Sequence, residues 1–134
     1  MSPKEIVKKF YELDVAKDNN VMDFIHEDIE VQWHSSQGFT KLNYNNLSDM
    51  VVAIKKSFLS FGYRLSHLLE EEDMVTARFS IYVTPIERPE KEDLLAHFIS
   101  IWKIKDGKLI EGYEISQLAD ASAESLKSFS KIID

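Results

Sequence analysis

The chain has 134 residues, 44% of them hydrophobic and 29% charged, with four glycines and three prolines; this is the profile of one soluble domain spanning residues 1–134, and it excludes disorder, collagen and tandem domains. Sixteen Lys and Arg against 23 Asp and Glu leave a net charge of -7, which repels phosphate backbones and anionic membranes, so neither nucleic acid nor a membrane is an expected partner. Cysteine is absent, which excludes disulfides, thiolate nucleophiles and zinc sites built on sulfur; with neither a signal-peptide core nor a long apolar run, the expected location is cytoplasmic.

In chain order, Ser2-Pro3-Lys4-Glu5 reads as a capping box that opens a helix from Pro3 to about Ala16, with Ile6, Val7, Phe10, Tyr11 and Leu13 on its apolar face. After the turn-forming Asp18-Asn19-Asn20, the spacing of Val21, Phe24 and Ile25 predicts a short second helix ending near His26. Ile29, Val31 and Trp33 then alternate with Glu30, Gln32 and His34, the period of a half-buried strand. Ser35 to Asn46 reads as a polar loop, followed by a third helix with Met50, Val51, Ile54 and Phe58 as its stripe and Asn46 or Ser48 as its cap.

From Tyr63 the pattern returns to strands: Tyr63, Leu65 and Leu69, an acidic turn over Glu70-Glu71-Glu72-Asp73, then Val75, Ala77, Phe79, Ile81 and Val83. Pro85 to Asp93 is a loop, followed by a long strand to Lys105, a turn at Asp106-Gly107 and a return strand to about Gln117. Leu126, Phe129 and Ile133 predict a final helix over Ala123 to Ile133. The sum is an α+β domain whose antiparallel sheet packs its helices on one face.

Isolated glycines at 38, 62, 107 and 112 leave no dinucleotide fingerprint or P-loop, and the His26-Glu27 pair lacks a second histidine four residues after the first. His26, His34, His67 and His97 lie on different elements. No metal and no cofactor is expected.

Several segments carry a family resemblance: Phe10 to Asp18, Phe24 through His34, the pair Arg78-Phe79, and Trp102 through Glu114 with its Lys105-Asp106-Gly107-Lys108 turn. Together they resemble the nuclear transport factor 2-like superfamily, in particular its SnoaL-like, polyketide cyclase-like branch. The resemblance implies a curved antiparallel sheet wrapped around N-terminal helices, a cone with an internal pocket (a cystatin-like roll), commonly dimeric. Its functions are diverse, from isomerases and cyclases to non-catalytic binders, so the fold leaves function open. The ketosteroid isomerase machinery is missing, since the matching positions are Phe10, Trp33 and Ser100. The Arg-x-Asp pair of epoxide hydrolases is missing too, since Arg64, Arg78 and Arg88 are followed at that spacing by Ser66, Ser80 and Glu90. The Glu-His-Trp-Asp pattern of SnoaL-like last strands reads Glu111-Gly112-Tyr113-Glu114 here, which keeps a carboxylate at the final place, and the family's histidine after the first strand survives as His34.

Two registers fit the Asp106-Gly107 turn. In a two-residue hairpin Ile104 pairs with Leu109, and Glu114 shares a face with Ile99 and Ile101. In a type I turn with Gly107 as a left-handed bulge Ile104 pairs with Lys108, and Glu114 shares a face with Phe98, Ser100, Trp102 and Gly112. The second is preferred: it puts Glu114 on the face that the resemblance makes the pocket. A carboxyl among Phe79, Phe98 and Trp102 is desolvated and its pKa raised, which suits proton transfer near neutral pH with His34 at the mouth as partner. The alternative is a Glu114 held by Ser100, Ser116 or Tyr11 that merely orders the pocket floor.

The catalytic candidates are therefore Glu114 and His34, and the expected ligand contacts are Phe10, Tyr11, Trp33, Ile54, Phe79, Phe98, Ser100 and Trp102, with Val31, Ala77 and Ile81 on the same face. Arg78 is expected on the opposite face. The expected partner is a small apolar molecule, together with a second copy of the chain docked on the outer sheet face through Ile99, Ile101, Leu109, Tyr113 and Ile115. Two classes of function stay open. One is an acid/base isomerase, cyclase or hydrolase acting on an apolar oxygenated molecule; the other is a non-catalytic binding or dimerisation module.

Overall fold

In the computed structural model, which describes residues 1–120 and 122–129, Ser2 opens the first helix through a reciprocal pair of bonds. Its hydroxyl accepts the Glu5 N–H at 3.1 Å, and the Glu5 carboxylate accepts the Ser2 N–H at 3.2 Å. Helix α1 (Pro3–Tyr11) buries Ile6, Val7, Phe10 and Tyr11 but stops short of Ala16. Asp14 explains the early end. Its carboxylate accepts the N–H of Ala16 at 2.9 Å, the N–H of Phe61 at 3.0 Å and the Ser60 hydroxyl at 2.6 Å, while the Val15 N–H donates to the Phe61 carbonyl at 2.9 Å. Those bonds are worth more to the chain than a continued helix, and they hold Val15 and Phe61 together.

A 3-10 turn (Val21–Phe24) stands where the sequence predicts a short helix, and strand β1 (Ile25–Ser35) begins at once. The polar stretch after it is not simply a loop: β1 turns at Gly38 (φ 116°) into an edge strand β2 (Gly38–Leu42). Helix α2 (Tyr44–Ser57) is capped by Asn43, with Asn46 as the reciprocal partner three residues in, each bond 2.9 Å. Asn46 is thus the second half of the cap rather than the cap itself. Phe58 leaves the helix for strand β3 (Phe58–Glu71), followed by β4 (Met74–Pro85), β5 (Asp93–Lys105) and β6 (Lys108–Leu118). Helix α3 (Ala123–Ser128) closes the described chain; Ile133, expected on its apolar face, lies outside the described residues.

The six strands form one sheet in the order β2-β1-β6-β5-β4-β3. It is mixed rather than wholly antiparallel, because β1 runs parallel to β6, with Val31 opposite Gly112 and Trp33 opposite Glu114. Register shifts between Leu65 and His67, Ile81 and Tyr82, and Lys103 and Ile104 mark bulges, which bend strands and raise their twist. The curved sheet packs α1 and α2 on one face, and the core fills the space between.

On the other face Arg78 points away from the core, as its alternation with Ala77 and Phe79 requires, and Phe129 covers it. The guanidinium lies 3.4 Å above the Phe129 ring and donates to the Ser66 hydroxyl at 2.8 Å. The His97 ring stacks on Phe129 at 4.3 Å, with Nδ1 2.8 Å from the Ser80 hydroxyl. Ser66 and Ser80 are fully buried there. Among the described residues no helix is long and apolar enough to cross a membrane, and no group of His, Asp and Glu could hold a metal ion.

Candidate functional site

The β5–β6 hairpin decides where the only candidate carboxylate points. Asp106 and Gly107 both have positive φ, 54° and 74°, the signature of a two-residue type I′ turn, so Lys105 pairs with Lys108 and Ile104 with Leu109. The preferred type I turn with a glycine bulge is not formed. One residue later the register shifts so that Lys103 faces Glu111, and Ile110 is the extra residue of a bulge. The pairs that follow are Trp102 with Gly112, Ser100 with Glu114 and Phe98 with Ser116. Glu114 therefore reaches the Trp102 face by a different route. The two-residue turn itself pairs Leu109 with buried Ile104, so Leu109 faces inward, fully buried, and does not belong to the outer patch. Gly112 has to be a glycine, because a Cβ there would overlap the six-membered ring of Trp102.

Between this face and the two helices lies a cavity of about 140 Å³. Its floor comes from Phe79 and Phe98, parallel rings 5.2 Å apart, and from Trp102; Trp33 of β1 extends the stack, 6.1 Å from Phe98. Phe10 and Tyr11 enter from α1 and Ile54 from α2. Glu114 is on the same lining, and its Oε2 accepts the Ser100 hydroxyl at 2.5 Å. Two donor-only indoles lock their neighbours: Trp102 Nε1 donates to the Tyr11 hydroxyl at 2.7 Å, and Trp33 Nε1 to the Ser116 hydroxyl at 2.8 Å.

Electrostatics follow from this enclosure. Burial pushes the Glu114 carboxyl up to about 7, against the pull of the Ser100 hydrogen bond. Burial, then the Glu114 charge, pushes the Tyr11 phenol far up, and Tyr63, also on the lining, rises for the same two reasons. Both phenols are neutral at physiological pH, and Glu114 alone titrates near it.

No family model matches the chain and no curated protein does. Solved structures do. IdmH from Streptomyces antibioticus, a candidate polyketide cyclase, superposes with a TM-score of 0.69 at 14% identity, over 87% of this chain and 92% of that one. A phenazine biosynthesis-related protein of Pseudomonas aeruginosa gives 0.65 at 13% identity, over 98% and 82%. A ketosteroid isomerase-like protein from Catenulispora acidiphila, in complex with trimethylamine, gives 0.63 at 12% identity, over 97% and 94%.

The chain has the nuclear transport factor 2-like fold.

At identities this low the likeness is one of fold, and the rest is read from this chain's own residues. In this nuclear transport factor 2-like cone, seven of the eight expected ligand contacts line the cavity: Phe10, Tyr11, Trp33, Ile54, Phe79, Phe98 and Trp102. Ser100 does not. It is fully buried beneath Glu114 and acts on the carboxylate instead. Val31 and Ala77 are likewise sealed in the core behind the lining. His34 is not at the mouth opposite Glu114. It alternates with Trp33, so when the indole points into the cavity the imidazole points out, where it is exposed and packs on Phe39 at 4.6 Å.

Sequence reasoning missed the roof and the rim. Leu47, Met50 and Val51 of α2 line the cavity, and Met50 is both lining and 39% exposed, which places the rim beside it. Their i, i+3, i+4 spacing was available as a signal, but it reads equally as ordinary core stripe. Val15, Phe61 and Tyr63 are also on the lining, where Asp14 ties the end of α1 to β3 through a contact between residues 47 apart.

Proposed function

We propose that this protein binds a small apolar molecule in the cavity between the sheet and its two main helices, with Glu114 as the polar group that orients it. One observation carries the reading: a single titratable carboxylate on an otherwise apolar and aromatic lining. That is the composition of a pocket that buries a hydrophobic body and fixes it by one polar contact. The likeness to IdmH and to other polyketide cyclase-like structures supports a ligand-binding use of the fold. Thermal-shift screening against single-ring and fused-ring compounds tests it: hits that Phe79→Ala and Trp33→Ala variants lose support the reading, and no hit from a broad library removes it.

A second reading is favoured by the Glu114 carboxyl standing near pH 7. A group at that pKa gives and takes a proton with little driving force lost, and the neutral phenols of Tyr11 and Tyr63 stand in the same chamber as hydrogen-bond donors. On this reading the protein is an acid/base isomerase, cyclase or hydrolase, with Glu114 as the catalytic residue. A Glu114→Gln variant that binds ligand but loses at least about two orders of magnitude in rate supports it.

The outer face supports a homodimer as the assembly. Ile99, Ile101, Tyr113 and Ile115 are 43%, 38%, 39% and 61% exposed on neighbouring positions of β5 and β6, and a second copy of the chain would cover them.

A further inference from the structure

Among the described residues the Glu114 carboxylate has one hydrogen-bond donor. Oε2 accepts the Ser100 hydroxyl; Oε1 has no hydrogen-bond donor among the described residues, on a side chain that lines the cavity. Leaving a carboxylate oxygen unanswered in an apolar chamber is costly, and the cost falls when a donor arrives, most of all a charged one. The lining cannot supply the charge. Among the described residues it holds no lysine, arginine or histidine, and its only other titratable side chains are Tyr11 and Tyr63, both neutral. Ser100, Tyr11 and Tyr63 are the polar groups that face the carboxylate from β5, α1 and β3. For the ionised form of Glu114, a counter-charge on this lining has to come with the occupant.

The walls accept such an occupant. Aromatic side chains attract a cation through the ring quadrupole, which aliphatic walls cannot do, and Phe10, Trp33, Phe79, Phe98 and Trp102 all stand on the lining with Glu114. The net charge of -7 favours the approach of a cation and opposes that of an anion. The cavity volume of about 140 Å³ is close to the size that holds one benzene ring.

We propose that the cavity selects a compact apolar molecule carrying one protonated amine, its ammonium group donating to Oε1 of Glu114 and its hydrocarbon body lying among the aromatic side chains. The proposal rests on the binding reading given above and narrows it to one ligand class. A neutral alcohol of the same shape makes the hydrogen bond without the charge, and a carboxylate of the same shape meets repulsion.

Calorimetric titration of the full chain with benzylamine, benzyl alcohol and benzoate tests this directly. At pH 8 benzylamine binds at least about tenfold more tightly than benzyl alcohol, the gain of a hydrogen bond between charged groups over a neutral one, and benzoate does not bind. In Glu114→Gln the benzylamine advantage is lost and the benzylamine and benzyl alcohol affinities converge. In wild type, which needs no substitution to fold, benzylamine affinity falls by up to about tenfold per pH unit once the carboxylate protonates, whereas benzyl alcohol affinity does not fall. Benzyl alcohol bound as tightly as benzylamine, or a preference that survives Glu114→Gln, overturns the amine class and leaves the binding reading standing. Binding of none of the three overturns the amine proposal, and the broader thermal-shift screen then decides the binding reading separately.

Discussion

The two faces of the central strands hold the same chemical unit in two settings. Inside, Ser100 donates to Glu114 at 2.5 Å; outside, the Ser80 hydroxyl and His97 Nδ1 are 2.8 Å apart. Both serines are fully buried, and burial drives both titratable partners toward their neutral forms: the Glu114 carboxyl is raised, and the His97 imidazole is lowered by burial and then by the Arg78 charge, against the pull of Asp120. The difference is access. Phe129 stacks on His97 and closes that site with protein, whereas Glu114 lines an open cavity. Neutralisation by burial is thus common to both sites and does not distinguish them; the cavity beside Glu114 does.

The largest test of the inner face is Phe79, 2% exposed and in ring contact with Tyr11, Tyr63 and Phe98. Phe79→Ala costs about 3–5 kcal/mol in chemical denaturation, the usual range for a buried Phe truncated in a packed core. A loss under about 1 kcal/mol would mean the floor of the cavity is not packed as described.

Next comes the pH test that separates the two faces. The Glu114 pKa is raised from 4.5 to about 7 on folding, so its contribution to stability is fully present below about 4.5 and is lost as pH rises through about 7. Glu114→Gln should match wild type below that window and exceed it by about 3 kcal/mol above it, at about 1.4 kcal/mol per pKa unit. His97 has the opposite sign. Its depressed pKa gives stability that is present above the ordinary value of 6.5 and is lost as pH falls through the folded value. His97→Gln should therefore flatten the acid side of the stability profile and leave the alkaline side unchanged. Equal and parallel profiles for wild type and both variants would break the comparison.

Smaller effects follow from position alone. Gly112→Ala places a methyl group against the Trp102 ring, and overpacking of this kind costs about 1–3 kcal/mol; because Trp102 also bonds Tyr11, ligand affinity should fall with stability. Ile101→Glu on the outer face should shift a dimer toward monomer in light scattering at micromolar concentration with little change in monomer stability. A wild type that is monomeric throughout would remove the dimer proposal.

Much of this was legible before any coordinates. The capping box at Ser2 and Glu5, the alternation through Val75, Ala77 and Phe79, and the loop from Pro85 are local patterns, and local patterns are set by neighbours in the chain. The parallel pairing of β1 with β6 joins Trp33 to Glu114, residues 81 apart in the chain, and no local signal encodes it. The edge strand β2 was hidden because Phe39, Thr40 and Lys41 are all exposed, so no apolar alternation marks them. His34 matches a family pattern in sequence, but its alternation with Trp33 sends it outward.

The sequence by itself determined the α+β class, the aromatic identity of the inner face and the presence of a carboxylate at Glu114 on the last strand, because residue type and period are properties of single segments. Tertiary structure alone decided that this carboxylate faces a cavity. A type I′ turn would have turned Glu114 outward, and the bulge at Ile110 turned it back. A one-residue slip reverses every side chain beyond it, and where such a slip is absorbed depends on how the bent sheet closes over its helices.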